Sequence, residues 1–197
     1  PFRDWDQQRD TWDIEPVPTQ DVAGKLNAST VENALNSLNF VRYVAGIPAD
    51  VENSEKFEEL SQTGVAVLMQ RGKEVGKEEL THTPQKPAGV SEEFYQRGYI
   101  GTGSSNLALG YRSLVNAVIS GWMDDGTTEN IAGVGHRRWC LNHYMKETGF
   151  GHAGDYTAMY TKPENDQAST SGDTFIPWPG QYMPVEYFEG PWSVCLN

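Results

Sequence analysis

Helical periodicity fills most of the first two-thirds of this chain, and strand-like runs crowd into its last third. That order of patterns narrows the possible folds more than any other feature. Ser29-Thr30-Val31-Glu32 fits a capping box, in which a hydroxyl and a carboxylate satisfy orphan amides reciprocally. Behind it Val31, Ala34, Leu35, Leu38 and Val41 recur at helical spacing, predicting a helix with one buried face that Gly46 and Pro48 stop. A second predicted helix begins near Ser54, carries Phe57, Leu60, Val67 and Leu68, and ends by Gly72. A third runs from about 107 to 123, with Tyr111, Leu114, Val115, Val118 and Trp122 as its apolar face. Between them Ser91-Glu92-Glu93-Phe94 predicts a short helix, while Gly98, Gly101 and Gly103 read as sharp turns. A short helix is expected over 137–141, after a loop carrying Gly126, Gly133 and Gly135. Strand-like stretches follow at 148–151, 156–161 and 192–196. Helices first and strands mostly late predict an α+β domain, with helices packed on one or both faces of a small, largely antiparallel sheet.

The 197 residues suffice for one domain with a real core. Residues 1–28, polar and broken by Pro16 and Pro18, read as an extended arm over a single domain at 29–197. The Trp- and Pro-rich part of that domain, about 163–197, reads as a C-terminal extension. Acids outnumber Lys plus Arg 27 to 15, a formal charge of −12 that repels phosphate backbones and anionic lipid. Arg137-Arg138 is too small a basic spot for a nucleic-acid footprint, so that partner class is set aside. No run approaches the length of a transmembrane segment. The start, Pro1-Phe2-Arg3-Asp4-Trp5, lacks a signal peptide's basic and apolar stretches and is expected to belong to a mature chain or an excised domain.

Chemistry has few obvious anchors. His82, His136, His143 and His152 include no H-E-x-x-H pair, and there is no G-x-S-x-G elbow, P-loop or dinucleotide fingerprint. Cys140 and Cys195 form no C-x-x-C. They read either as two buried thiols or as one long-range disulfide, which an oxidising compartment permits. His82 stands in a loop before Thr83-Pro84, where a surface histidine is the default. His136 follows Gly133-Val134-Gly135 at the start of the expected short helix, where a structural, carbonyl-bonded histidine is the ordinary reading.

Six motifs nevertheless occur in a telling order. They are Leu38-Asn39-Phe40-Val41-Arg42, His82 before Thr-Pro, Ser104-Ser105-Asn106-Leu107-Ala108, Trp122-Met123-Asp124-Asp125, Gly135-His136-Arg137-Arg138-Trp139 and Thr148-Gly149-Phe150-Gly151. In this order the chain resembles the CAP superfamily of cysteine-rich secretory, antigen 5 and pathogenesis-related-1 proteins, and most closely its bacterial extracellular branch. The resemblance covers roughly residues 30–162. It implies an α-β-α sandwich, a secreted or cell-envelope setting, and a shallow cleft holding two histidines and two acids. His82 and His136 match the histidines, and Asp125 matches the acid of W-x-x-E. Ser105, beside Asn106 in the cleft motif, stands where G-E-N-L has its Glu, which removes one carboxylate.

That altered cleft implies two imidazoles and Asp125 as the candidate site for zinc or another divalent cation, with an open fourth position. Losing one acid weakens its pull on a cation. Asp125 is expected near a helix C-terminus, where the macrodipole disfavours an acid. A nucleophile set of Ser105, histidine and Asp125 lacks a strained elbow and an oxyanion hole. The expected function is an extracellular binding domain for an envelope ligand, lipid or partner protein. The rivals are a zinc-dependent hydrolase or peptidase and a sterol or lipid carrier. Arg137 and Arg138 are expected to neutralise nearby acids. Trp178, Tyr182 and Trp192 are expected to cap the core rather than to stack on a sugar.

Overall fold

The computed structural model describes residues 7–76, 79–162, 175–183 and 190–196, with the side chains of Cys195 and Leu196 outside that set. The first helix, α1 (Ala28–Val44), starts two residues earlier than a capping box at Ser29 requires. Asn27 is the cap: its side-chain oxygen accepts from the Ser29 amide at 3.0 Å, so Ser29 already lies in the first turn. The expected apolar stripe is buried through Val31, Ala34, Leu38 and Val41. Arg42 is buried on the same helix, and its guanidinium donates to the carbonyls of Pro48, Cys140, Asn142 and Met145. Desolvation draws its pKa down to about 10, still far enough up to keep the charge at neutral pH.

The second helix, α2 (Glu55–Val75), starts behind Ser54 and ends at Gly76, whose φ of 67° only glycine adopts without strain. The third, α3 (Glu92–Gly103), is capped by Ser91 Oγ and is longer than the short helix expected. Gly98 and Gly101 were expected to make turns, but they lie inside it and serve packing. A Cβ on Gly98 would meet Val67 Cγ2 at 2.5 Å, and one on Gly101 would fall onto the Leu60 carbonyl of α2. Without side chains there, the two helices approach backbone to backbone.

The stretch expected as one helix from 107 to 123 divides in two. Its start is a strand, β4 (Ser105–Leu109), and only after Gly110, at φ 83°, does the chain turn into α4 (Leu114–Asn116) and a π-helical turn (Ala117–Trp122). The strand is sandwiched, so apolar residues occupy both faces and the period-2 alternation that marks a strand is lost. With α5 (Gly135–Cys140), the helices are α1 to α5.

The central sheet has the order β4-β7-β6 and is antiparallel throughout, with β6 at Phe150–Ala153 and β7 at Tyr156–Tyr160. On one face Leu107, Ala153, Tyr156 and Ala158 pack against Val65, Leu68 and Met69 of α2. Tyr160 on that face stacks on Phe57 at 4.4 Å between ring centroids. On the other face Ala108, Phe150 and Met159 join Leu38, Leu114, Val118 and Trp122 in the main core. Gly149 and Gly151 let α2 lie directly on β6: a Cβ on Gly151 would sit 2.6 Å from the Gln62 amide nitrogen, and one on Gly149 would overlap the Glu58 nitrogen.

Short pairs complete the chain: β1 (Trp12–Ile14) with β2 (Lys25–Leu26), β3 (Glu52–Asn53) parallel to β5 (Glu147–Thr148), and β8 (Phe175–Trp178) with β9 (Ser193–Leu196). The molecule is thus mixed α/β, compatible with the expected α+β class. The described part of 1–28 carries the β1–β2 pair, a 3-10 turn at Pro18–Gln20 and the first residue of α1. Of the 163–197 extension, residues 163–174, 184–189 and 197 lie outside the described residues. Among the described residues, no helix is long and apolar enough to cross a membrane.

Candidate functional site

The C-terminus of α3 leaves carbonyls without helical partners, and the chain supplies donors for them one by one. Lys162 Nζ donates to Gly103 O at 3.0 Å, and Thr161 donates to Ser104 O through its amide and its hydroxyl. Thr102 O accepts His82 Nδ1 at 2.7 Å, while Thr102 Oγ1 returns a bond to His82 O at 3.0 Å. A carbonyl can only accept, so Nδ1 carries the proton, and in the neutral ring Nε2 keeps its lone pair. His82 is exposed. Four residues further on, Asn106 Nδ2 donates to His136 O at 2.9 Å and tethers the start of α5. Thr102 and Asn106 can be separated by at most about 14 Å of extended chain. Two histidines 54 positions apart are therefore fastened to one short segment.

His136 is oriented by Asp125. Asp125 Oδ1 accepts His136 Nδ1 at 2.8 Å, and Oδ2 accepts the His136 amide at 2.9 Å and the Arg137 amide at 3.3 Å. The Asp125 side chain is 1% exposed and the His136 side chain 27%, so the carboxylate lies beneath the ring and the ring faces outward. Three donors occupy both oxygens. Asp125 therefore orients His136. Asp125 does follow a helix C-terminus, as expected. The Asp125 amide closes on Gly121 O behind the π-helical turn, but the carboxylate reaches forward to amides at the start of α5, where negative charge is favoured. Its φ of 45° is uncommon for a non-glycine residue and is held by these bonds.

Arg137 fixes the loop that presents Asp125. It is buried, and its guanidinium donates to Met123 O at 2.7 Å, Asp124 O at 2.6 Å, Pro191 O at 2.6 Å and Ser193 Oγ at 2.9 Å. The acids it was expected to neutralise are thus met through the backbone carbonyl of Asp124, and β9 is strapped onto the same loop.

Ser105 does not face α5. Strand alternation turns it to the α2 face, buried at 4%, with its hydroxyl 3.4 Å from Ser61 Oγ. Asn106, buried at 3%, faces α5 as a tether. Neither presents a nucleophile or a base to solvent. Among the described residues, no group of three or more His, Cys, Asp or Glu is placed to hold a metal ion. The Nε2 atoms of His82 and His136 make no hydrogen bond among the described residues.

Cys140 is a free, fully buried thiol, which settles its half of the disulfide question; the side chain of Cys195 is outside the described residues. Desolvation, and next the nearby Asp125 charge, push the Cys140 thiol up from 9.0 to about 12. With the folded value raised, this group's contribution to stability is full below pH 9 and is lost as pH rises toward 12. In a Cys195→Ser background at pH 8, native Cys140 is expected to react with a thiol reagent about a thousandfold more slowly than an ordinary thiol. Full reactivity should return in urea. Rapid labelling of the native protein would contradict its burial.

No family model, curated protein or solved structure matches this chain. Its site is therefore read from its own geometry.

A third histidine, His152, is bound into the sheet. It lies in the centre of β6, its side chain 5% exposed, with Nδ1 at 2.6 Å from Asp10 Oδ2 and Nε2 at 3.0 Å from Gly154 O. Its backbone accepts Trp12 Nε1 at 2.9 Å and exchanges bonds with the Gln62 amide. The available signal was a polar residue within the small and apolar run Phe150-Gly151-His152-Ala153, since a buried polar group requires a partner. Trp178 is buried at 5% and caps the core as expected. Tyr182 and Trp192, at 86% and 80% exposure, do not.

Proposed function

We propose that this chain is an extracellular CAP-like binding domain, in which His82 and His136 form the polar floor of a shared hollow. The observation that carries the reading is the matched fastening of the two rings. Each gives its Nδ1 proton to a fixed oxygen, Thr102 O or Asp125 Oδ1, and each keeps Nε2 for a ligand. Helices on both faces of the β4-β7-β6 sheet are what the α-β-α sandwich of that superfamily requires, and they support the resemblance.

Zinc or another divalent cation fits this donor set in part. The two Nε2 atoms would hold it, Asp125 would fix the tautomer and raise the basicity of His136, and the remaining positions would fall to water or to an incoming ligand. Such a cation would polarise an oxygen of that ligand. With Asp125 bonded to His136 and Ser105 turned to the other face, the arrangement favours binding over hydrolysis. Its ligand is an extracellular small molecule, lipid or protein.

The test is zinc titration of protein purified without chelator, compared with His82→Ala, His136→Ala and the double variant. Each single change is expected to weaken zinc binding at least about tenfold, a difference of about 1.4 kcal/mol. Equal zinc in the wild type and the double variant, or none in either, would remove the shared site.

A further inference from the structure

We propose that a second hollow, which shares no residue with the two-histidine site, binds an acidic monosaccharide of the hexuronate class. The hollow has a volume of about 290 Å³ and lies where three segments meet. Arg9, Asp10 and Trp12 come from the N-terminal segment, Tyr111 and Arg112 from the turn between β4 and α4, and Asp155 from the β6–β7 hairpin above His152. This size is at the small end for ligand sites and suits one sugar ring rather than a chain of them.

Each wall supplies a different part of the recognition. Asp10 is held from behind, its Oδ2 accepting His152 Nδ1 at 2.6 Å and the Leu114 amide at 2.8 Å. Its Oδ1 makes no hydrogen bond among the described residues, and the side chain, 5% exposed, lines the hollow. An ionised carboxylate oxygen fixed in this way accepts hydroxyl donors. The exposed Asp155 offers further acceptors at the rim.

Arg112 is exposed and has no hydrogen-bond or ion-pair partner among the described residues. Arg9 there donates only to the neighbouring carbonyls of Gln7 and Gln8. In a chain of net charge −12, two guanidiniums without a carboxylate partner among the described residues face one hollow. A planar guanidinium binds a carboxylate through two parallel bonds.

Trp12 and Tyr111, both half-buried, line the same space with flat apolar faces. The indole cannot swing away, because Nε1 is bonded to His152 O and the ring lies 5.2 Å from the His152 ring. Flat aromatic faces match the C–H surface of a pyranose. A simple carboxylate would leave Asp10 Oδ1 and the aromatic walls unused, and a neutral hexose would leave the arginines without an anion. One ligand class uses all three.

The experiment is an amide NMR titration of the whole chain with glucuronate, glucose and acetate. Glucuronate is expected to give saturable shifts at residues 9–12, 110–112 and 152–155, with glucose and acetate each at least about tenfold weaker. Arg112→Gln, at an exposed position, should leave the melting temperature unchanged and weaken glucuronate at least about tenfold. The His82→Ala/His136→Ala double variant should bind glucuronate as the wild type does, so this inference and the two-histidine reading can fail separately. No saturable shift by about 50 mM glucuronate would overturn the proposal, since binding that weak is beyond a specific site. Acetate binding as tightly as glucuronate, or unchanged binding in Arg112→Gln, would overturn it equally.

Discussion

Gly149→Ala is expected to lower the melting temperature by roughly 10 °C, from a loss of about 3 kcal/mol or more in a chain of this size. A methyl group there would occupy the position of the Glu58 backbone nitrogen, with the Phe57 carbonyl carbon beside it. The obstacle is backbone of α2, which cannot rotate aside as a flexible side chain can. Helix and sheet must separate, and that separation opens the contact of Val65, Leu68 and Met69 with Leu107, Ala153 and Ala158. Gly133→Ala is the control, because a Cβ there has nothing within 4 Å and should stay within about 0.5 kcal/mol of wild type. Thermal unfolding of both variants decides the point, and equal melting temperatures would show that α2 does not lie so close to β6.

Arg137→Met should cost about 3 kcal/mol and should also disturb His136, which an ordinary packing defect would not. The apolar replacement fills the space but leaves the carbonyls of Met123, Asp124 and Pro191 without these donors. Released carbonyls at 123 and 124 loosen the turn that holds Asp125 in its left-handed conformation, and the Asp125–His136 bond depends on that turn. The ring resonances of His136 should therefore shift and broaden, while those of His82, anchored on α3, stay in place. Arg137→Lys should not rescue the ring, since one ammonium cannot reach both the loop and the Pro191–Ser193 strap. Unchanged His136 resonances in Arg137→Met would detach the strap from the site.

Long, one-sided elements were legible in the sequence. α1 and α2 announce themselves because each buries one stripe and exposes the other. The errors fall where a segment is covered on both sides. Leu107 meets α2 while Ala108 meets the opposite core, so β4 showed no alternation, and its spacing to Tyr111 and Leu114 imitated a helix. Gly98 and Gly101 looked like turn residues because sequence cannot distinguish a glycine needed for backbone freedom from one needed for close approach.

At the candidate site, His136 and Asp125 were found through motif order rather than through chemistry. Their direct bond could not be read from a spacing of eleven residues across a loop. The anchoring of His82 on Thr102 was hidden for a similar reason, since its acceptor is a backbone carbonyl that any residue would supply. Ser105 was misplaced because a one-residue offset in a strand reverses the face. The pairing of Asp10 with His152 spans 142 positions and left no local trace.

That last pairing bears on how the molecule is made. Asp10 and Trp12 leave the ribosome well before the residues they bond, His152 and Leu114, which emerge more than a hundred residues later. Until then the segment has only its pairing with β2 and the start of α1, and closing so long a loop is entropically slow. These contacts are thus among the last to form, and the hollow they help to wall exists only once the sheet is complete.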